Sequence, residues 1–226
     1  MSDPEVMDGQ LERLRESMIE QIIAHAAHVA ERTGRPRLGD DVLTAMAAVP
    51  RHMFVPLEMK LYAYLDTPLP IGHGKTISQP FIVALMTDLL EVAPTHSVLE
   101  IGTGLGYQAA VLASLAKTVE TVEIIEELAS AGERRLKEAG FDNVTCHQGD
   151  GNQGWSAAAP YDRIIATAAP DIIPPSLIGQ LKPGGRMVVP AGLEDAQTLF
   201  LVTRGKNGRV KTEEILPVRF SQLMTH

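Results

Sequence analysis

The sequence predicts an α/β protein with a mostly parallel sheet, an antiparallel C-terminal hairpin and a helical N-terminal cap. From Ser97 onward, short apolar runs alternate with helical stretches, which is typical of a parallel sheet covered on both faces. A buried strand at 98–101 runs directly into a glycine-rich turn and a helix start. Two last strands, near 198–203 and 210–215, flank a turn containing Gly205 and Gly208, which indicates a hairpin.

Composition bounds the class of protein. The chain has 226 residues, of which 45% are hydrophobic, enough for one good core. A net charge of −8 argues against a broad nucleic-acid surface, and the single cysteine, Cys146, excludes an internal disulfide. No apolar run approaches the ~20 residues of a membrane span, and the N-terminus lacks a secretory signal pattern. We expect a cytoplasmic protein, a monomer or weak oligomer, that binds neither nucleic acid nor membrane.

The first 60 residues are predicted to be helical. Apolar residues recur at helical spacing over 10–32, and Asp40 or Asp41 is suited to cap a second helix that continues to Val49. We expect residues 1–60 to form an extension packed on the core, and residues 61–226 to form the main domain, with a binding loop at 69–80 and a single folding unit overall.

Residues 62–80 are rich in proline and glycine and predict a long loop. Long loops in compact domains are usually functional or disordered, and the aromatic and aliphatic residues here argue against disorder. Pro80 suits the first turn of a helix over 81–90. Ser78 or Gln79 would then lie at that helix's N-terminus, where free backbone N–H groups can hold an anion.

The rest of the alternating pattern is regular. Helices are predicted over 108–116, 126–139 and just after Pro174, and strands over 118–124, 144–147, 161–167 and 186–190. Ligands of open α/β sheets bind at the carboxyl ends of the strands. Polar residues at those ends are therefore the candidates for a site.

The glycine turn itself indicates the kind of ligand. Gly102, Gly104 and Gly106 are spaced G-x-G-x-G, whereas the dinucleotide fingerprint is G-x-G-x-x-G. Glu100 precedes the turn, and a carboxylate there would oppose a pyrophosphate but suits a ligand with a positive end. The E-x-G-x-G-x-G pattern resembles the first motif of class I methyltransferases, a Rossmann-like fold that binds S-adenosylmethionine. The resemblance implies cofactor contacts from Glu100, Gly102, Thr103 and Gly104.

Two further carboxylates end the next strands. Glu123 lies where an acid can accept hydrogen bonds from both ribose hydroxyls of a nucleoside, although a solvated strand end and a role for Glu120 are alternatives. Asp150 and Gly151 follow the third strand, where a carboxylate can accept from an exocyclic amine and a backbone N–H can donate to an adenine ring nitrogen; the alternative is an ordinary Asp-Gly turn.

A closer resemblance extends over about 49–220. The chain carries Ala63-Tyr-Leu-Asp, Leu69-Pro-Ile-Gly, Thr76-Ile-Ser-Gln-Pro, Leu99-Glu-Ile-Gly-Thr-Gly, Gly149-Asp-Gly, Ala168-Ala-Pro and Val218-Arg-Phe in order. This set is similar to the signature of protein-L-isoaspartate O-methyltransferases. The glycine motif is shared by many methyltransferases, whereas Thr-Ile-Ser-Gln-Pro is much more specific.

The resemblance implies methyl transfer from S-adenosylmethionine to the α-carboxylate of L-isoaspartyl residues in damaged proteins, which begins repair through a succinimide. A carboxylate is already ionised at neutral pH, so the reaction needs orientation rather than a general base. Ser78 is the residue expected to orient it. The other expected substrate contacts are Thr76, Ile77, Thr167 and Arg219, and Thr76 and Gln79 are also expected to contact the cofactor.

The sequence departs from the family at two places. Lys75 stands where many bacterial members carry glutamine, and Ser221-Gln-Leu replaces Val-Pro-Leu. We expect the second departure to affect the C-terminal wall of the substrate pocket and to leave the cofactor site untouched.

Other functions remain open on the residues alone. They are a methyltransferase for nucleic acid or small molecules, a non-catalytic cofactor- or peptide-binding adaptor, and, least favoured, a dinucleotide oxidoreductase. The acidic charge and Ala166-Thr-Ala-Ala-Pro after the fourth strand, in place of an Asn/Asp-Pro-Pro-Tyr motif, disfavour a nucleic-acid substrate. The seven histidines and the cysteine show no metal-like clustering, so no metal site is predicted.

Overall fold

The computed structural model describes residues 4–225, with side chains from Gly9 onward. The chain opens with helices α1 (Pro4–His28), α2 (Ala30–Thr33) and α3 (Asp40–Ala48) and two 3-10 turns (Arg51–Phe54 and Leu57–Tyr62). There follow β1 (Leu69–Gly72), β2 (Lys75–Ile77), α4 (Pro80–Leu90), β3 (Ser97–Ile101), α5 (Tyr107–Ala113), β4 (Thr118–Glu123), α6 (Glu126–Glu138), β5 (Val144–Gln148), β6 (Tyr161–Ala166), α7 (Pro175–Gln180), β7 (Leu181–Ala191), β8 (Gln197–Arg204) and β9 (Val210–Val218).

Seven strands form the central sheet in the order β5-β4-β3-β6-β7-β8-β9. The strands from β5 to β7 are parallel, and β8 and β9 are antiparallel. This confirms the predicted fold class. The chain passes outward from β3 through β4 to β5 and then returns to the other side of β3 as β6. Strand order reverses beside β3, so its carboxyl end is the expected ligand position of such a sheet.

The N-terminal helices share the core of the sheet. Met18 and Ile22 of α1 and Met46 of α3 are fully buried in the same apolar cluster as helix α4 and strand β3. Burial of such side chains contributes about 1.5–3 kcal/mol each. That the chain forms a single folding unit stays a prediction.

The helix ends differ in detail from the prediction. The first helix is interrupted at Val29 instead of continuing to residue 32. Gly39 is the N-cap of α3, with Asp40 as the first helical residue, and the Asp41 carboxylate accepts from the adjacent Val42 N–H. The prediction that Asp40 or Asp41 caps this helix is therefore wrong.

The expected loop at 62–80 contains a small antiparallel hairpin, β1–β2. Its strands are four and three residues long, and Pro70 and Gly72 interrupt the first. Strands this short carry too little alternation to be recognised. The hairpin lies directly before Ser78 and helix α4, so it presents this segment beside the glycine turn.

Candidate functional site

The glycine turn after β3 follows a path that side chains would obstruct. Gly102 has φ +95, and a Cβ atom there would lie 2.5 Å from Oγ1 of Thr167. That hydroxyl donates to the Gly102 carbonyl oxygen at 2.7 Å. Gly104, at φ +53, also has the left-handed backbone that favours glycine. The turn is thus fixed to the end of β6 while its backbone stays accessible.

Glu123 joins this turn to the end of β4. One carboxylate oxygen accepts from the Gly104 N–H at 2.9 Å and the other from the Ile125 N–H at 3.1 Å. Its side chain is buried but borders the cleft beside the turn. Glu120 does not border that cleft, because its carboxylate contacts Nε2 of His147. Of the two acids that the sequence left open, Glu123 lines the cleft and Glu120 does not.

At the end of β5, Gly151 and Asp150 have different surroundings. Gly151 lines the cleft and packs against Ile101, where a Cβ atom would lie 2.3 Å from Cγ2. The Asp150 carboxylate accepts from the Asn152 N–H at 2.8 Å and caps a 3-10 turn. Asp150 itself is not part of the cleft lining.

The cleft, counted together with the open space at its mouth, has a volume of about 550 Å³. Its lining combines glycine backbone, the Glu123 side chain and several apolar side chains. Of the residues predicted for cofactor binding, five line it; they are Thr76, Gly102, Gly104, Glu123 and Gly151. A carboxylate among apolar walls and open backbone fits a nucleoside with two hydroxyls and a flat base.

Four predicted cofactor residues do not line this cleft; they are Gln79, Glu100, Thr103 and Asp150. Glu100 is fully buried and accepts a hydrogen bond from the Thr121 hydroxyl, which lies 2.7 Å from the Thr103 hydroxyl. Burial raises the pKa of Glu100 to about 8. Glu100 and Thr103 thus support the turn from beneath rather than facing the cleft.

A larger groove, of about 2040 Å³ when the open space above it is counted, adjoins the cleft. It is lined by Ser78, Gln79 and Arg219, and it shares Thr76 and Thr167 with the cleft. The two cavities therefore meet at these threonines. Four of the five predicted substrate residues line the groove.

The remaining predicted substrate residue, Ile77, is buried and borders a third cavity, of about 350 Å³ when its open space is counted. Ser78, half-buried, lines both that cavity and the groove. Its hydroxyl has no hydrogen bond within residues 9–225, so it is free to donate. Arg219 is exposed and forms no ion pair with any side chain in the described part of the chain.

Arg51 holds the Ser78 backbone from below, a role that sequence reasoning missed. Its fully buried guanidinium donates to the carbonyl oxygens of Ser78 at 2.7 Å and Ala63 at 2.8 Å, and it lies 4.6 Å from the Tyr107 ring centroid. Burial lowers the pKa of Arg51 to about 10. An arginine within the apolar segment 49–56 was the only signal in the sequence.

The N-terminus of α4 is occupied by an internal carboxylate. Asp66 accepts from the Phe81 N–H at 2.8 Å and from the Gln79 side-chain amide at 3.0 Å. The Phe81 N–H, one of the donors expected to hold an anion near Gln79, is therefore already bonded within the chain.

The C-terminal segment forms part of the cleft. Ser221 and Gln222 line both the cleft and the groove, because backbone bonds tie the segment to Ala169, whose N–H donates to the Ser221 carbonyl oxygen at 2.9 Å. The expectation that the departure at 221–222 leaves the cofactor side untouched is wrong. The sequence carried no signal for this return of the chain.

The described residues contain no group of three metal-ligating side chains. Within the same residues, no helix is both long and apolar enough to cross a bilayer.

Known proteins resemble this chain in sequence. The profile of the protein-L-isoaspartate(D-aspartate) O-methyltransferase family matches residues 25–226. A protein-L-isoaspartate O-methyltransferase of Polaromonas sp. is 58% identical over 93% of this chain and 89% of its own length. One from Cupriavidus necator is 53% identical over 96% of this chain and 84% of its own.

Solved structures give the same result. One protein-L-isoaspartate O-methyltransferase superposes with a TM-score of 0.78 at 30% identity, covering 92% of this chain and 65% of its own. A Plasmodium falciparum structure, solved in complex with S-adenosyl-L-homocysteine, has a TM-score of 0.78 at 23% identity, covering 95% of this chain and 98% of its own, and shows the fold alone. On the profile match and these relatives, the chain belongs to the protein-L-isoaspartate(D-aspartate) O-methyltransferase family.

Proposed function

We propose that the chain methylates the α-carboxylate of L-isoaspartyl residues in proteins and peptides at the junction of the cleft and the groove. Membership of the family makes it an S-adenosylmethionine-dependent methyltransferase. The observation that carries our assignment is that Thr76 and Thr167 line both cavities. The cleft proposed for the nucleoside thereby opens onto the larger groove proposed for the peptide.

The cofactor fits the cleft through residues already in place. Glu123 would hold the ribose, the open backbone at Gly102 and Gly104 would allow close approach, and Gly151 with Ile101 would border the base. When bound, S-adenosylmethionine supplies an electrophilic methyl group on a sulfonium centre. Glu100 and Thr103 act indirectly by holding the turn, and Asp150 shapes the backbone at Gly151.

The chain's contribution to the reaction is placement. A substrate carboxylate is ionised at neutral pH and needs no base, and holding it in an attacking geometry supplies much of the rate enhancement. Ser78, with a free hydroxyl on the groove, donates a hydrogen bond that orients this carboxylate. Arg219 and Lys75, both in the groove lining and without ion pairs to described side chains, favour an anionic ligand there.

The direct test uses an isoaspartyl peptide and its aspartyl twin with tritiated S-adenosylmethionine. We expect label in the isoaspartyl peptide alone, released slowly as methanol when the ester collapses. Equal labelling of both peptides, or of neither, would overturn the proposal. The twin peptide controls for charge and sequence, since the two differ only in the linkage.

We also propose that the enzyme works in the cytoplasm as a monomer or weak oligomer, without nucleic acid or membrane. The support is the net charge of −8 and the single cysteine.

A further inference from the structure

The N-terminal helix α1 reaches the substrate groove through His25. The side chain of His25 is 36% exposed and lines the groove together with Ser78, Gln79 and Phe81. Its position is surprising for a helix that otherwise packs as a cap, because Met18 and Ile22 on the same helix are buried in the core.

Two contacts fix the imidazole ring. It stacks on the Phe81 ring with centroids 3.9 Å apart and planes 11° from parallel. Its Nδ1 lies 3.1 Å from a carboxylate oxygen of Asp66. The same carboxylate accepts from the Gln79 amide and the Phe81 N–H, so the ring is anchored to the N-terminus of the helix that follows Ser78.

The Asp66 contact also decides which ring nitrogen carries a proton. An ionised carboxylate only accepts, so Nδ1 must donate to it. The Gln79 amide nitrogen, 3.5 Å from Nδ1, already donates to the Asp66 carboxylate at 3.0 Å and to the Asp66 carbonyl oxygen at 3.1 Å. Nε2 is therefore the nitrogen left for an outside partner, and in the neutral ring it is an acceptor.

Resting on the function proposed above, we propose that His25 is a substrate-binding residue whose Nε2 accepts a hydrogen bond from a backbone N–H of the polypeptide flanking the isoaspartyl residue. The ring is held before substrate arrives, which lowers the entropy cost of the contact. Every polypeptide substrate offers a backbone N–H, so the contact does not depend on the neighbouring side chains. The N-terminal extension thus belongs to the substrate site.

Two substitutions separate the two nitrogens of the ring. In His25→Asn the side-chain amide reaches the position of Nδ1 and keeps a donor to Asp66, but nothing replaces Nε2. His25→Gln reaches the position of Nε2. The matched control is His28→Ala, which replaces an exposed histidine on the same helix.

The measurements are KM and kcat for an isoaspartyl peptide with several residues on each side, and the affinity for S-adenosylhomocysteine. Loss of one neutral hydrogen bond predicts a rise in KM of about fivefold for His25→Asn, with kcat and cofactor affinity changed less than about twofold. His25→Gln should have a KM closer to that of the wild type, and His28→Ala should match the wild type. If His25 serves only to hold Asp66, His25→Asn behaves as wild type, and the proposal is wrong.

An NMR titration tests the His25 contact without relying on methyl transfer, so it can fail independently of the proposed function. The protein is labelled with ¹⁵N-histidine and saturated with S-adenosylhomocysteine. The Nε2 resonance of His25 is identified by its absence from the spectrum of His25→Asn. Added isoaspartyl peptide should shift this resonance. An unmoved Nε2 signal with bound peptide, or peptide that does not bind at all, overturns the proposal. Absence of methyl transfer in the paired-peptide assay would overturn the function alone.

Discussion

The Arg51 guanidinium donates to the Ser78 carbonyl oxygen at 2.7 Å from a fully buried position. The bond ties the residue before the N-cap of α4 to a side chain that also lies over Tyr107, at the start of α5. One buried cation therefore connects the substrate loop with the helix that follows the glycine turn.

Arg51→Lys should lower kcat by about tenfold with little change in the affinity for S-adenosylhomocysteine. Arginine bonds Ala63 through Nε and Ser78 through Nη2, whereas lysine keeps the charge but has a single donor nitrogen that cannot occupy both positions. An unpaired buried carbonyl costs about 1–3 kcal/mol. Steady-state kinetics and calorimetry measure the two effects. Arg37→Lys, at an exposed ion pair, is the control. An unchanged kcat would remove Arg51 from the positioning of Ser78.

Ser78→Ala should reduce turnover by about 10- to 100-fold, since a hydrogen bond to a charged group is worth about 1.5–3 kcal/mol. Cofactor affinity should change little, because Ser78 lines the groove and not the cleft. Single-turnover methyl transfer is the measurement, with the exposed Ser17→Ala as control. Turnover equal to wild type would exclude Ser78 from the mechanism.

Glu123→Gln should weaken binding of S-adenosylhomocysteine by about tenfold or more, through loss of charged hydrogen bonds. Glu120→Gln tests the neighbouring acid on the same strand. It should leave that affinity within about twofold, because its carboxylate contacts His147 outside the cleft. Titration calorimetry compares the pair. A larger loss of affinity in Glu120→Gln than in Glu123→Gln would assign the ribose contact to Glu120 instead.

Glu100 should make the protein less stable as pH rises. Its folded-state pKa of about 8 lies above the ordinary value of 4.5, so between these values the folded state binds more protons than the unfolded state. Its contribution to the unfolding free energy is therefore full below pH 4.5 and lost as pH rises towards about 8. The slope is on the order of 1 kcal/mol per pH unit.

Glu100→Gln removes this dependence, because the amide keeps an acceptor for Thr121 and does not ionise. Urea unfolding at about pH 5 and about pH 8 gives the free energy of unfolding of both proteins. The value for the variant, relative to that of the wild type, should be higher at about pH 8 than at about pH 5. Exposed Glu58→Gln should follow the wild type. Parallel pH profiles for Glu100→Gln and wild type would contradict a raised pKa.

The N-terminal extension and the sheet should unfold in one transition. Far-UV circular dichroism reports strongly on the 25-residue helix α1, and Trp155 fluorescence reports on its stacking with His147, 3.9 Å away near strand β5. Coincident urea curves are expected for one cooperative unit. Helix loss at lower urea than the fluorescence change would divide the chain into two units.

Regular elements were predictable where local pattern determines structure. The strands, the glycine turn and the hairpin at Gly205–Gly208 follow from apolar runs and turn residues, and parallel strands bring their carboxyl ends to one edge whatever the loop lengths. This is why Gly102, Glu123 and Gly151 line one cleft, while their contacts with the cofactor stay a prediction. Glu100 was assigned to the cofactor because its position in the motif was clear, but its burial was not visible in the sequence.

Contacts between distant segments were not predictable. The Asp66 cap joins residues 15 apart, the His25 contact residues 41 apart, and the Arg51 bond residues 27 apart. No periodicity encodes such pairs. The position of Gln222 likewise depends on Gln197, whose amide donates to it at 2.6 Å, and on where β9 ends.

The threonine boundary at Thr76 and Thr167 has a thermodynamic consequence. Ligands in the cleft and the groove would contact the same wall, which gives a route for coupling between the two sites. Any such coupling is reciprocal: if occupancy of the cleft by S-adenosylhomocysteine tightens peptide binding by some factor, peptide must tighten S-adenosylhomocysteine by the same factor. Tight substrate binding would then also retain the spent cofactor, and product inhibition would strengthen as peptide concentration rises.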